Sequence, residues 1–285
     1  MKRTISLLVV VLLGSLLAGC GGGGSSSQTT TPPVQSPQQI KMTGPWQVSA
    51  GHPQNGNTPT GVTFIEFNAT QSGSIFSASQ VAIIDVVYMS GSPGDYTKAT
   101  WNSQNCVPGP YSLTGTIDNT TSTVKFTMQE TGGQITATST MGTGPEAGVL
   151  KGTYSDPPCN VSNLDLIGSQ ALTLAGKYAN TCNFNPCGTA DPSLTLQVAQ
   201  DSSNHLTISG SDTKDGSFTL TGTAIGSSMW VSGMISGQNV SWYGWHYAAL
   251  DKNLQEIFVI DADTNAPVAT VQGCVNGTNC TLAPL

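Results

Sequence analysis

The sequence predicts an all-β protein, with two tandem, related antiparallel β-barrel or β-sandwich units behind a leader and a flexible linker. Three observations predict it. Gly and the hydroxyl residues abound, while the charged residues that helices use for their surfaces make up only 9% of the chain. Short runs alternate apolar and polar side chains between clusters of Gly, Asn, Asp and Ser. The chain also resembles itself at a long offset.

The leader comes first. Lys2 and Arg3 precede an apolar run, Ile5 to Leu17, and small residues follow it. This is the three-part pattern of an export signal. The run is well short of the roughly 20 residues a membrane-spanning helix needs. Residues 21–39, GGGGSSSQTTTPPVQSPQQ, carry no charge and almost no apolar surface. Such a stretch buries too little to offset its chain entropy, so it reads as a flexible spacer. The expected organisation is a signal peptide over 1–19, a linker over 20–40, a first β unit over 41–165 and a second over 166–285.

Leu17-Ala18-Gly19-Cys20 resembles the lipobox of bacterial lipoproteins. The resemblance implies a diacylglyceryl group on the Cys20 thiol, cleavage before that residue and acylation of the new amino end. The acyl chains, palmitate among them, would tie the chain to a lipid bilayer. Residue 21 is Gly rather than Asp, which in that family points to the outer membrane of a Gram-negative cell envelope. Assigning Cys20 to lipid leaves six of the seven cysteines: Cys106, Cys159, Cys182, Cys187, Cys274 and Cys280. In an oxidising compartment these are expected to form up to three disulfides. Neither their spacing nor that of His52, His205 and His246 matches a metal site, and no cofactor is expected.

In the body, Val62-Thr63-Phe64-Ile65-Glu66-Phe67 is β-branched and aromatic. Val124 to Met128, Leu194 to Val198 and Phe218 to Thr221 alternate strictly. Gly44-Pro45-Trp46 can be laid on Gly176-Lys177-Tyr178, an offset of 132 residues that also places Val62-Thr63-Phe64 on Leu194-Thr195-Leu196 and Ser77-Ala78-Ser79 on Ser209-Gly210-Ser211. Ser112 to Thr116 then match Thr219 to Thr223 at an offset of 107. The change of offset predicts an insertion near Gln80 to Asn105 in the first copy. Gly133-Gln134 falls on Gly237-Gln238, and Cys159 and Cys274 close the copies. Each copy is long enough for seven or eight short strands, roughly.

The Gly-x-Trp and Gly-x-Tyr openings resemble the first strand of lipocalin-like barrels, a likeness that brings no ligand with it. The text from Tyr111 to Cys159 is similar to Gly/Thr-rich secreted lipoproteins. That resemblance implies a disulfide between Cys106 and Cys159. The other four cysteines could pair locally, Cys182 with Cys187 and Cys274 with Cys280, or tie the start of the second copy to its end.

For function, the net charge of −7 argues against a nucleic-acid partner. Ser241 to Tyr247 (SWYGWHY) is the conspicuous stretch. On a strand Trp242 and His246 share one face, and Tyr243, Trp245 and Tyr247 share the other. Large rings on both faces suggest an aromatic platform for a sugar or a partner protein. The alternative is that one face is core and the other lies under residues 248–253. Catalytic patterns are thin. No Gly-x-Ser-x-Gly elbow occurs. The carboxylates Glu66, Asp85, Glu130 and Glu256 read as solvated strand residues, and Asp261 to Asn265 reads as an acidic β-turn rather than a calcium loop. The expected function is therefore a lipid-anchored envelope protein that binds or scaffolds without catalysis. The alternative is a lipid-anchored hydrolase acting on carbohydrate or ester, with two facing carboxylates or a Ser beside His205 or His246.

Overall fold

A computed structural model describes residues 39–51, 61–88, 96–101, 111–130, 133–157, 161–180, 193–247, 254–264 and 267–274. Residues Pro37–Leu285 form one compact unit. Cys20, Cys106, Cys159, Cys182, Cys187 and Cys280 lie outside the described residues, as does the side chain of Cys274. The lipid attachment and the disulfide pairings therefore fall there too. Among the described residues no helix is long and apolar enough to cross a membrane.

The first nine strands are β1 (Gly44–Gly51), β2 (Gly61–Ser72), β3 (Ile75–Tyr88), β4 (Tyr96–Trp101), β5 (Tyr111–Asp118), β6 (Thr123–Glu130), β7 (Gly133–Met141), β8 (Leu150–Asp156) and β9 (Val161–Gln170). They pair antiparallel in the order β2-β1-β9-β8-β7-β6-β5-β3, and β2 pairs with β3 to close an eight-stranded ring. The remaining strand, β4, hangs on the far half of β3, at Ile84 to Tyr88. The second ring runs β10 (Gly176–Asn180), β11 (Thr195–Gln200), β12 (His205–Asp212), β13 (Gly216–Ile225), β14 (Ser228–Ile235), β15 (Gln238–Tyr247), β16 (Leu254–Asp261) and β17 (Pro267–Cys274), and closes by pairing β10 with β17. The chain is all-β, with two closed antiparallel barrels in tandem.

Alternation builds the barrels. In β5 the residues alternate buried and exposed without a break, as period-2 side-chain geometry demands when one face meets a core. Eight strands enclose a space that side chains just fill. Trp46, Val48, Ile65, Phe67, Phe126 and Tyr154 pack inside the first barrel. Tyr178, Leu196, Ile208, Leu220, Trp242 and Val259 pack inside the second.

The expected boundary after residue 165 falls inside a strand held by two pairings. Strand β9 runs on to Gln170 and pairs with both β8 and β1. It completes the first barrel, so the junction is 171–175.

The ladders test the self-similarity strand by strand. Trp46 faces Phe67 across β1–β2, and Tyr178 faces Leu196 across β10–β11. Phe76 faces Gly115 in the first barrel and Leu206 faces Gly222 in the second. Ser112–Thr116 and Thr219–Thr223 are thus equivalent, as the second offset predicts. The match of Phe64 to Leu196 is three residues out of register, because Leu196 corresponds to Phe67. The connections between strands differ in length between the copies, so identities matched across them slide. The inserted segment is the far half of β3 together with β4.

Both barrels are floored in the same way. The Trp46 indole Nε1 donates to the Met42 carbonyl at 2.7 Å, and the Tyr178 hydroxyl donates to the Leu174 carbonyl at 2.8 Å. The Met42 N–H donates to Gln71 Oε1 at 2.6 Å, and the Leu174 N–H to Gln200 Oε1 at 2.9 Å. An apolar residue thus closes each barrel end, with its backbone polar groups satisfied by a ring and a glutamine. Tyr178→Phe keeps the ring and deletes this bond, whereas Trp46→Phe also shrinks the buried ring, a loss that comes on top of the bond; the bond itself is the part the two variants share. That shared part is expected to cost about 1 kcal/mol in urea unfolding, so Trp46→Phe is expected to lose more than Tyr178→Phe.

Candidate functional site

The richest cluster of polar and aromatic side chains lies where the two barrels meet. Strand β2 is buried on both faces there: Thr63, Phe64, Ile65, Glu66 and Phe67 are all buried. Ile65 and Phe67 point into the first barrel. Phe64 points out and, with Ile84 of the inserted part of β3, packs against Tyr243, Trp245 and Ile260 of the second barrel. The Trp245 ring lies 6.2 Å from Phe64 and 5.1 Å from Phe258, centroid to centroid. Its Nε1 is buried with no acceptor among the described residues.

Beside this cluster the turn from β13 to β14 presses on the wall of the first barrel. The Ser227 N–H donates to Glu66 Oε2 at 2.7 Å, and its hydroxyl lies 3.2 Å from the same oxygen. Gln47 on β1 donates through Nε2 to Glu66 Oε1 at 2.5 Å and to the His246 carbonyl at 3.0 Å. Asn68 bridges to the turn in both directions, donating to the Ala224 carbonyl at 2.9 Å and accepting from the Gly226 N–H at 3.1 Å. The His246 N–H donates to the Ser227 carbonyl at 2.8 Å.

Burial dominates the electrostatics. Glu66 is fully buried, which pushes its carboxyl up to about 8 against the opposing pull of the Gln47 and Ser227 donors. Burial also pushes His246 down to about 4 and raises the Tyr243 hydroxyl above its ordinary range.

Gly226 is a glycine for two reasons. Its φ is +60°, in the left-handed region, and a Cβ there would run into the Glu66 carboxylate and the Trp46 carbonyl. Gly226→Ala is expected to cost more than the roughly 1–2 kcal/mol of left-handed strain alone, because the turn must also withdraw from the first barrel. Thermal unfolding of the variant checks this.

These placements correct two expectations. Glu66 and Glu256 are not solvated strand residues: both are buried, because their outward faces meet other parts of the chain. Glu256 accepts from Gln272. The rings of β15 are not an exposed platform. Trp242 is inside the second barrel, and Tyr243 and Trp245 are 2% and 0% exposed against the first. His246 is half-buried, and the Tyr247 side chain lies outside the described residues. The Asp261 turn is an acidic turn, with its carboxylate capping the N–H groups of Asp263 and Thr264.

The residues a hydrolase would use are engaged elsewhere. The His205 ring pairs with Asp201 at 3.2 Å, the Ser227 hydroxyl serves Glu66, and Asp85 accepts from the Thr63 hydroxyl at 2.7 Å. The side chain of Glu130 lies outside the described residues. Among the described residues no group of three metal-ligating side chains converges.

Two concavities stand out among the described residues. One, of about 660 Å³, lies at the floor of the first barrel between Ile40, Asn119, Met141, Gly148 and Gln170. The other, of about 860 Å³, runs across the outer wall of the second barrel. Its long axis follows one cross-strand row, Lys177, Gln197, Ser209, Thr219 and Met234, set by the ladder register. Among the described residues the lining carries one cation and no carboxylate. Met234 is 59% exposed, and on the same face of β14 Trp230 is 37% exposed, stacked on Tyr243 at 6.0 Å. Sequence reading passed over this row because its members sit on five strands, and only the register aligns them.

No family model matches the chain, and no curated protein matches it. Among solved structures it is similar to the Aeromonas veronii immune modulator A, with 10% identity over 83% of this chain and 95% of that one and a TM-score of 0.29. It is also similar to a Nostoc punctiforme protein of unknown function from the DUF3598 family, with 13% identity over 82% and 96% and a TM-score of 0.22.

Proposed function

We propose that the chain is a non-catalytic binding protein of the cell envelope, anchored in the outer membrane through acylated Cys20, which takes a neutral polyhydroxylated ligand such as an oligosaccharide in the outer groove of the second barrel. The observation that carries the reading is the groove's chemistry. Both barrel interiors are filled with packed side chains, so a ligand must bind outside them. In a chain of net charge −7 the described lining of the groove is free of carboxylates. Adjacent strands are about 4.8 Å apart, close to the length of one pyranose residue. The row Gln197, Ser209 and Thr219 would therefore offer one polar group per sugar, with the Met234 thioether as an apolar contact at the end. The closed ring leaves no open strand edge in the second barrel, so recognition there falls to side chains.

A panel of neutral oligosaccharides titrated into the full chain tests this. Gln197→Ala with Met234→Lys is expected to weaken binding about tenfold or more while leaving the unfolding midpoint in place. Binding unchanged in that variant, or no binding across the panel, overturns the reading. Mass spectrometry of the mature chain is expected to show a thioether-linked diacylglycerol on Cys20.

A further inference from the structure

We propose that Glu66 is a proton-operated clamp between the two barrels: they dock with its carboxyl protonated, and the contact loosens when the proton leaves to solvent. The inference goes beyond ligand binding and rests on a different part of the molecule.

The argument begins with position. Glu66 belongs to the first barrel, is 0% exposed, and is covered by the β13–β14 turn of the second. An ionised carboxylate in such a place needs a partner charge, because desolvation outweighs what neutral donors return. None is supplied. β1, β2, β3, β13, β14, β15 and β16 contain no lysine or arginine. The titratable groups on the packed elements are Asp85 and Tyr88 on β3, Tyr243, His246 and Tyr247 on β15, and Glu256 and Asp261 on β16. The carboxylates among them would only add like charge. His246 is held neutral by burial and turns its backbone carbonyl, not a charge, toward the Gln47 amide.

The hydrogen-bond geometry accommodates the extra proton. Ser227 Oγ sits 3.2 and 3.3 Å from the two Glu66 oxygens, and a hydroxyl accepts as readily as it donates. A protonated Glu66 can donate to Ser227 Oγ while the Ser227 N–H and the Gln47 amide still donate to its oxygens. Ionisation keeps the donors but places a bare charge in the contact. Opening the contact lets water reach that charge. The groups that would part are those that cross the contact: Glu66 from Ser227, Asn68 from Ala224 and Gly226, Gln47 from His246.

The sign follows. A carboxyl raised by docking stabilises the docked form below its ordinary pKa of 4.5 and loses that contribution as pH rises toward about 8. Each unit of pH in this window changes the docking equilibrium by about tenfold. Hydrogen exchange of the full chain between pH 6 and 9, corrected for intrinsic exchange rates, reads it. Amides that bond across the contact (Gly226, Ser227) are expected to lose protection with rising pH while core amides such as Val231 do not. Glu66→Gln, a neutral isostere, is expected to flatten the response. Should that variant fail to fold, the wild-type chain decides the matter by infrared spectroscopy. A protonated-carboxyl band is expected at pH 6.5 and gone by pH 9, in step with the loss of protection. The same pH response in Glu66→Gln, pH-independent protection in the wild type, or absence of that band overturns the proposal.

Discussion

Trp245→Ala is expected to lower the unfolding free energy by roughly 3–5 kcal/mol. The ring is 0% exposed and wedged between Phe64 of the first barrel and Phe258 of the second. Its walls are closed β-ladders that cannot collapse into the space it leaves, so the cavity adds to the lost transfer energy. Trp245→Phe separates packing from polarity. It keeps a ring in place and removes the Nε1–H that finds no acceptor among the described residues. Deleting a buried, unmatched donor relieves its desolvation cost, so this variant is expected to lose far less than the alanine. Urea unfolding of the three chains checks both, and an alanine variant within about 1 kcal/mol of wild type would mean the contact carries little of the stability.

Titration of two buried groups produces the other large effect. Burial holds His246 near 4 in the folded chain, against an ordinary value of 6.5. A group lowered by folding contributes stability above its unfolded pKa and loses it as pH falls through the folded one. Between pH 6.5 and 4 this single side chain is expected to remove up to about 3 kcal/mol. Over the upper part of that window Glu66 acts with opposite sign, since it gains as pH falls from about 8 to 4.5. The two slopes cancel between about 4.5 and 6.5, so stability is expected to be flat there, to decline on the alkaline side through Glu66, and to decline below 4.5 through His246. His246→Gln is expected to remove the acid decline and leave the alkaline one. Urea unfolding midpoints at half-unit intervals of pH measure both limbs, and an acid decline of equal size in the glutamine variant would assign it to another group.

The strands were legible because a barrel wall imposes one inward and one outward face, and the alternation of Leu113, Gly115 and Ile117 with Ser112, Thr114 and Thr116 states that directly. The doubling was legible where strands carry it, at Gly115 and Gly222, and blurred where loops of unequal length intervene. The contact between barrels was half-written. Large rings on both faces of β15 announce that the outward face meets something, but the neighbour is a strand some 180 residues earlier, and no local pattern names it. Glu66 carried a signal of the same kind. It is an acid set in a run of Phe, Ile and Phe, where an unbroken apolar stretch marks a strand covered on both sides. Reading it as solvated applied the rule for a one-sided wall to a two-sided one. Gln71 and Gln200 gave no sign at all, since their partners are main-chain atoms of segments outside the strand pattern.

The floor of the first barrel has a mechanical meaning. Tension arriving from residues before Gln39 is transmitted first to Ile40 and Met42, whose N–H groups are held by Asn119 and Gln71. Next in line is β1, zipped to β2 on one flank and to β9 on the other. A pull along that strand strains many cross-links together in shear instead of peeling them singly, so the end of the barrel nearest Gln39 behaves as a load-spreading mount. The second barrel, reached among the described residues through 171–175 and the contact around Glu66 and Trp245, is shielded from the force until that mount gives way.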